Sequence, residues 1–129
     1  MKLCNFFLVI IFTVILGSPM HLSAEELIGL PRTEGSKSFD MEIKNLNNIG
    51  IKHYSLNELD RAEKSLKKAT NLAQQLRDPG LGVTSFNRAI VLHQLHKSKE
   101  ASKYFFIAKR YARGDSRILN SQLLKNYTN

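Results

Sequence analysis

The sequence predicts an all-helical protein made of two copies of one helical hairpin. From Asp40 onward, apolar residues recur at steps of three and four, which is the period of an amphipathic helix. Sliding the chain by 39 residues aligns the first predicted helix with the third and the second with the fourth. No convincing alternating strand pattern accompanies them. Together these observations predict an all-α fold of stacked hairpins.

Local signals place the helices in order. Asp40 can cap the first helix, and a turn at residues 55–57 separates it from the second. The pair at residues 78–79 is aspartate and proline, and proline is favoured at the first position of a helix, so we expect the third helix to start there. The fourth helix should stop at Gly114, and a short last helix should follow over about residues 116–127.

The two copies share seven identical residues over residues 43–76 and their partners, whereas chance would give about two at average composition. Two antiparallel helices approach most closely where their side chains are smallest. We therefore expect close approach of Gly50 to Ala62, and of Ala89 to Ala101. The identical pairs are Asn48 and Asn87, Ile51 and Ile90, Leu56 and Leu95, Ala62 and Ala101, Lys64 and Lys103, Ala69 and Ala108, and Ala73 and Ala112.

This pattern resembles the tetratricopeptide repeat, over about residues 43–112. A small residue is followed 12, 16 and 19 positions later by a small, a large apolar and a small residue. The two copies of that order are Gly50, Ala62, Leu66 and Ala69, and then Ala89, Ala101, Phe105 and Ala108. The 39-residue step is longer than the family's usual 34, with the extra residues around 78–82.

The resemblance implies two antiparallel hairpins in a right-handed stack, followed by a C-terminal capping helix. The expected ranges are 39–127 for the helical domain, about 43–76 and 82–115 for its repeats, and about 116–127 for the capping helix. Ser85 and Arg88 stand where the family usually has apolar residues, so we expect looser packing of the third helix. About three repeats are normally needed to bury a core, and either the capping helix or self-association could supply the missing layer.

Residues 1–24 have the order of a secretory signal peptide. Lys2 precedes an apolar run over residues 6–17, and Ala24 offers a small-residue cleavage site. The alternative is an uncleaved membrane anchor, because residues 3–24 carry no charge and a membrane span needs roughly 20 apolar residues. We expect an exported protein of the bacterial periplasm or the exterior, with the membrane-anchored form as the alternative.

Cleavage would leave a domain that depends on packing alone. Cys4, the only cysteine, would be removed, so the mature chain could form no disulfide. Residues 25–38 show no periodicity and contain glycine and proline, which predicts a flexible linker.

The formal net charge of +8 is unevenly distributed. Residues 25–78 contain nine acids and nine bases, whereas residues 79–129 contain two acids and nine bases. Such a basic half attracts anionic partners, which for an exported chain are lipid, envelope polymer or an acidic protein rather than nucleic acid. The alternative is a merely solubilising surface. The predicted basic patch comprises Lys97, Lys99, Lys103, Lys109, Arg110, Arg113 and Arg117.

The resemblance also implies a binding groove, because the first helix of each tetratricopeptide hairpin lines the concave face. A mixture of amide, aromatic and aliphatic side chains there suits an extended peptide. The alternative is that the isoleucines belong to the core and the asparagines bond their own backbone. The candidates are Lys44, Asn47, Asn48, Ile51, Tyr54, Val83, Phe86, Asn87, Ile90, His93 and Gln94.

No catalytic constellation is apparent in the sequence. His93 and His96 are one helical turn apart but have no carboxylate or cysteine near them in sequence, so we expect no metal site. The glycines at 80 and 82 lack the lysine and the strand of a phosphate-binding loop. We expect that the protein binds no cofactor and is not an enzyme. The expected function is a protein-protein interaction or scaffold module that binds a peptide or partner subunit, and the alternative is an envelope-surface binder that uses the basic half.

Overall fold

The computed structural model describes residues 25–30 and 40–129, and every regular element within them is a helix. The all-α fold class predicted from the sequence is thereby confirmed for these residues. The predicted signal or anchor, residues 1–24, lies outside them, and no helix of the described part is long and apolar enough to cross a membrane. The helices are α1 (Met41–Ser55), α2 (Leu59–Leu76), α3 (Leu81–Gln94), α4 (Ser98–Arg110), α5 (Ser116–Leu119) and α6 (Gln122–Thr128).

The helices pack as two hairpins. α1 pairs with α2, α3 pairs with α4, and α2 also packs against α3. The turns of the two hairpins share a backbone conformation, because Asn57 has φ 57° and His96, 39 residues later, has φ 59°. Asparagine and histidine are among the residues that tolerate this left-handed region best. The 39-residue repeat therefore extends to the turn geometry, although the two turn residues differ.

Small residues set the distance between neighbouring helices. A Cβ atom added to Gly50 would lie 2.5 Å from Cγ of Leu66, so α1 can rest directly on α2 only because that atom is missing. Ala62 in the first hairpin, and Ala89 and Ala101 in the second, are fully buried, as expected for helices in close approach. Gly82 has a comparable role, since its Cβ would lie 2.8 Å from the carbonyl carbon of Tyr111.

The core centres on α3, whose residues from Leu81 to Leu92 are all buried. Phe86 meets Phe105 of α4 edge to face, with ring centroids 6.1 Å apart. Tyr127 of α6 stacks on the other side of Phe105 at 4.8 Å. The last helix therefore covers α4 and closes that end of the core.

Arg88 is accommodated inside this core, where we expected looser packing. Only 4% of the residue is exposed, and its Nη2 lies 3.0 Å from Oε1 of Glu63 on α2. Its guanidinium lies 4.0 Å above the ring of Tyr104 on α4, so both neighbouring helices contact it. Ser85 Oγ and Arg88 Nη1 are buried without a hydrogen-bond partner in the described part of the chain. The two unusual residues are thus packed, but their polar groups are only partly satisfied.

Three helix boundaries differ from the predictions. α4 ends at Arg110 and does not continue to Gly114. The third helix begins at Leu81 rather than Pro79, because the carboxylate of Asp78 accepts the N–H of Gly80 at 2.7 Å and closes a turn first. The capping segment is two short helices instead of one. Ser121 divides them, since its hydroxyl accepts the N–H of Leu124 at 3.0 Å and starts α6 anew.

Candidate functional site

Residues 25–30, here called the strap, lie without regular secondary structure against α1 and α3. The sequence predicts that they belong to a flexible linker of residues 25–38, of which residues 31–38 lie outside the described part. The six strap residues instead pack on the helices, with Ile28 and Leu30 inside the main apolar core. The reason is their composition, because three of the six are leucine or isoleucine.

Two buried asparagines hold the backbone of the strap. The N–H of Ile28 donates to Oδ1 of Asn87 at 2.7 Å. The carbonyl of Ile28 accepts from Nδ2 of Asn87 at 2.8 Å and from Nδ2 of Asn47 at 3.1 Å. Asn87 Nδ2 also donates to Oδ1 of Asn47 at 2.8 Å. One residue of the strap thus has both of its backbone groups bound by side chains of α1 and α3, an arrangement we call the asparagine clamp (Asn47 and Asn87).

Three side chains of the strap enter the helical domain. Ile28 is 7% exposed and Leu30 is 5% exposed, whereas Leu27 is partly buried and packs in the same region as Tyr54. Gly29 is exposed, and a Cβ added to it would meet nothing within 4 Å. The helical domain therefore buries the aliphatic side chains of Ile28 and Leu30, whereas a side chain at position 29 between them would make no contact.

The carboxylate of Glu25 anchors the other end of the strap. One of its oxygens accepts the hydroxyl of Ser121, and the other accepts the N–H of Leu123 at 2.9 Å. The Tyr54 hydroxyl donates to the carbonyl of Glu25 at 3.4 Å. Burial, and secondly the negative charge of Glu25, raise the pKa of the Tyr54 phenol above its usual value. Tyr54 therefore stays a neutral donor over the physiological range.

Only some of the predicted groove residues contact the strap. Asn47, Tyr54 and Asn87 contact the strap directly, and Phe86 lines a cleft beside it. Ile90 is fully buried, which agrees with its reading as a core residue. Val83 is also buried, with 8% of its surface exposed.

The remaining predicted groove residues have other environments. Asn48 is exposed, so the asparagine that aligns with Asn87 in the repeat is not the one that joins it in the clamp. His93 Nδ1 lies 2.8 Å from the hydroxyl of Tyr127, at the capping helix. The three other predicted residues are partly buried: Lys44, Ile51 and Gln94.

The strap and its anchor on Ser121 and Leu123 were not predicted from the sequence. The available signal was the cluster of aliphatic residues at 27, 28 and 30, which is unusual in a flexible linker. The Glu25 anchor had no such signal, because its partners lie 96 and 98 residues away along the chain.

The predicted basic patch is exposed at all seven positions, but its residues lie in different surroundings. Lys109, Arg110 and Arg113 line one cleft together with Asp78 and with Arg77, a residue of the half whose acids and bases balance. The same cleft is lined by Phe106, 53% exposed. Arg117 instead pairs with Asp115 at 2.7 Å, and this pairing lowers the pKa of that carboxyl group. Lys97, Lys99 and Lys103 lie on or next to the first turns of α4.

Among the described residues, no group of histidine, cysteine, aspartate or glutamate side chains is arranged to hold a metal ion. No protein-family model matches the chain, and no curated protein or solved structure matches it.

Proposed function

We propose that this chain is an exported, tetratricopeptide-like interaction module that binds an extended segment of a partner protein between α1 and α3. The observation that carries the proposal is the asparagine clamp, which already holds both backbone groups of Ile28. Hydrogen bonds to a peptide backbone supply affinity for any extended chain, and side-chain pockets beside them supply specificity.

The polar character of the clamp suits the binding of an extended backbone. Asn47 and Asn87 are fully buried, and a buried amide without partners costs about 1–3 kcal/mol. Apolar residues at these two positions would leave the N–H and C=O groups of Ile28 buried without these partners. The two amides bond backbone groups that every extended peptide carries, so they suit a peptide from another chain as well as the strap.

A peptide-display selection against the full chain tests the groove. The comparison is made in chains carrying Ile28→Pro, which removes the strap N–H that donates to Asn87, so that the strap competes less for the same bonds. In that background, we expect the enriched peptides to lose at least tenfold in affinity when Asn87→Leu removes the amide while keeping a similar volume. Asn48→Ala is the matched control, because Asn48 aligns with Asn87 in the repeat but is exposed and makes no clamp bond. Circular dichroism of both variants would establish that they are folded.

Two outcomes would overturn this function. One is that no peptide is enriched at all. The other is that, in the Ile28→Pro background, the enriched peptides bind with equal affinity with and without Asn87→Leu in folded protein, which would move their site away from the clamp.

The proposed location rests on the sequence of residues 1–24 and is tested separately. N-terminal sequencing of the protein recovered from the envelope fraction should find Glu25 as the first residue if the signal is cleaved after Ala24. Recovery of residues 1–24 in a membrane-bound protein would favour the anchored alternative. A protein confined to the cytosol would contradict both.

A second candidate function is suggested by the cleft that Arg77, Lys109, Arg110 and Arg113 line with Phe106, here called the basic cleft. Four cations beside an exposed aromatic ring suit an anionic headgroup at an apolar surface. We expect binding to vesicles that contain an anionic phospholipid, weakening steeply with added salt.

Charge reversal separates the basic cleft from general positive charge. The double change of Lys109 and Arg110 to glutamate should abolish vesicle binding, whereas the same change at Lys99 and Lys103 should reduce it only modestly. Equal losses from the two pairs, or binding that is indifferent to salt, would remove this second candidate.

A further inference from the structure

We propose that the groove selects an extended peptide in which a carboxylate is followed three residues later by one aliphatic side chain and five residues later by another. We infer further that the strap, which has this pattern at Glu25, Ile28 and Leu30, is a resident competitor that an incoming partner segment displaces. This inference rests on the proposed function and adds to it the ligand's chemistry and a mode of control.

The acidic position is read by two donors. The Ser121 hydroxyl and the Leu123 N–H each bond a different oxygen of the Glu25 carboxylate. A neutral side chain at this position could satisfy at most part of this arrangement, and hydrogen bonds to a charged group are worth about twice those between neutral groups. Glu26, the other acid of the strap, is exposed, so acidity counts only at the first position.

The aliphatic positions are read by burial. Ile28 and Leu30 each lose more than nine-tenths of their surface to the helical core, and removing apolar surface from water favours an aliphatic side chain at both positions. They are two residues apart, as expected for side chains on one face of an extended chain. The exposed Gly29 between them leaves room for any residue at that position.

The strap competes effectively with a partner segment because it is covalently tethered to the helical domain. Nine residues, 31–39, separate it from Asp40 at the start of α1. A short tether gives an effective concentration in the millimolar range, so a free peptide of equal intrinsic affinity binds poorly while the strap is bound. A partner succeeds if its segment improves on the strap or if the strap is weakened.

Displacement is tested with a fluorescein-labelled peptide of sequence Glu-Glu-Leu-Ile-Gly-Leu and fluorescence anisotropy. In the full chain, Ile28→Pro removes the N–H that donates to Asn87, and should raise the affinity for the labelled peptide at least tenfold over the wild type. Gly29→Ala is the matched control in the strap, and should bind the peptide as weakly as the wild type.

A second variant leaves every packed residue in place. Insertion of about 20 glycine and serine residues after Gly35 lengthens the tether roughly threefold, which should lower the effective concentration of the strap and raise peptide affinity about sixfold. This variant keeps the test valid if Ile28→Pro fails to fold. No change in peptide affinity upon insertion would show that the strap does not exchange with the peptide. It would overturn the proposal that the strap is a competitor.

Peptide variants test the pattern. In the Ile28→Pro background, the peptide with aspartate at the isoleucine position should not bind, and the peptide with glutamine for its first glutamate should bind at least threefold more weakly. Loss upon substituting the second glutamate instead would contradict the assigned register.

Failure of this inference can be distinguished from failure of the proposed function. If the strap-displaced variants bind display-selected peptides that lack the acidic and aliphatic pattern, the function survives and the pattern is wrong. If a folded, strap-displaced variant binds neither these peptides nor the strap sequence, both are wrong.

Discussion

The two hairpins share one sequence pattern but bury very different amounts of their first helices. In α3 every residue from Leu81 to Leu92 is buried, whereas α1 buries only Ile43, Asn47 and Gly50. α3 contacts α1, α2, α4 and α5, while α1 has its main contact with α2. The comparison teaches that position in the stack, more than the repeated pattern, decides how much of a repeat helix is buried.

The asparagines show the same lesson at a single site. Asn48 and Asn87 are equivalent in the repeat, but Asn87 is fully buried and Asn48 is exposed. The partner of Asn87 is Asn47, the residue before Asn48, because Asn47 is the one that faces the strap and α3. Sequence equivalence between repeats is therefore a poor guide to which residues share a binding site.

The largest difference between the hairpins should appear on truncating their equivalent large residues. Phe105→Ala should cost about 4 kcal/mol of unfolding free energy, since Phe105 packs between Phe86 and Tyr127. Leu66→Ala should cost about 3 kcal/mol, because Leu66 fills a smaller cluster. Urea unfolding measures both, with the exposed Phe106→Ala as a control that should shift stability by less than about 0.5 kcal/mol. A larger cost at Leu66 would reverse the comparison.

The equivalent asparagines should differ next. Asn87→Ala removes its hydrogen bonds to Ile28 and Asn47 and should cost about 2–3 kcal/mol. Asn48→Ala should change stability by less than about 0.5 kcal/mol. The same urea unfolding experiment provides the values, and equal costs at the two positions would contradict the asparagine clamp.

A smaller difference in unfolding free energy is expected when alanine replaces the glycine at the close helix contact of each hairpin. Gly82→Ala places its Cβ against the backbone of Tyr111, which cannot move independently of the chain, and should destabilise by about 1–2 kcal/mol. Gly50→Ala meets Cγ and Cδ2 of the buried Leu66 side chain, which can adjust more readily than a backbone, and a gain in helix propensity of about 1 kcal/mol offsets part of the strain. Its net effect should be smaller than that of Gly82→Ala. A stabilised Gly82→Ala protein would show that α3 and α4 can separate at little cost.

The smallest effect concerns the contact of Tyr54 with the strap. Because the folded chain holds the phenol proton more tightly than the unfolded chain does, the associated stability is present below the ordinary tyrosine pKa of about 10. It should be lost as pH rises from there through the raised pKa. Comparing the pH dependence of wild-type and Tyr54→Phe unfolding between about pH 8 and 11 isolates this contribution. An identical pH dependence would assign the shift no role in stability.

Much of the helical architecture could be predicted from local sequence. Asp40 caps α1 as expected, with its carboxylate accepting from Glu42 and Ile43, and the helices follow the apolar period. The prediction was less accurate at Asp78 and Ser121, where side-chain bonds to nearby N–H groups close a turn or start a new helix. Such capping competes with helix propensity over one or two residues, which a periodic pattern does not resolve.

The binding surface was predicted only in part. Asn47, Tyr54 and Asn87 were among the expected groove residues, but the occupant of the groove was not foreseen. A segment without periodicity carries no signal of where it docks, because its partners are set by the distant residues that folding brings to it. The same holds for Glu25, whose two donors lie near the other end of the described chain.

The sequence by itself determined the all-α class, the repeated hairpins and the uneven charge, because helical period, small-residue spacing and ionisable residues are local properties of the chain. Only the tertiary structure decided which asparagines face each other, why Arg88 can be buried, and that residues 25–30 lie on the groove instead of in solvent. These outcomes depend on contacts between residues far apart in sequence. Their free energies are settled by the packing of all the helices together, and no local pattern records them.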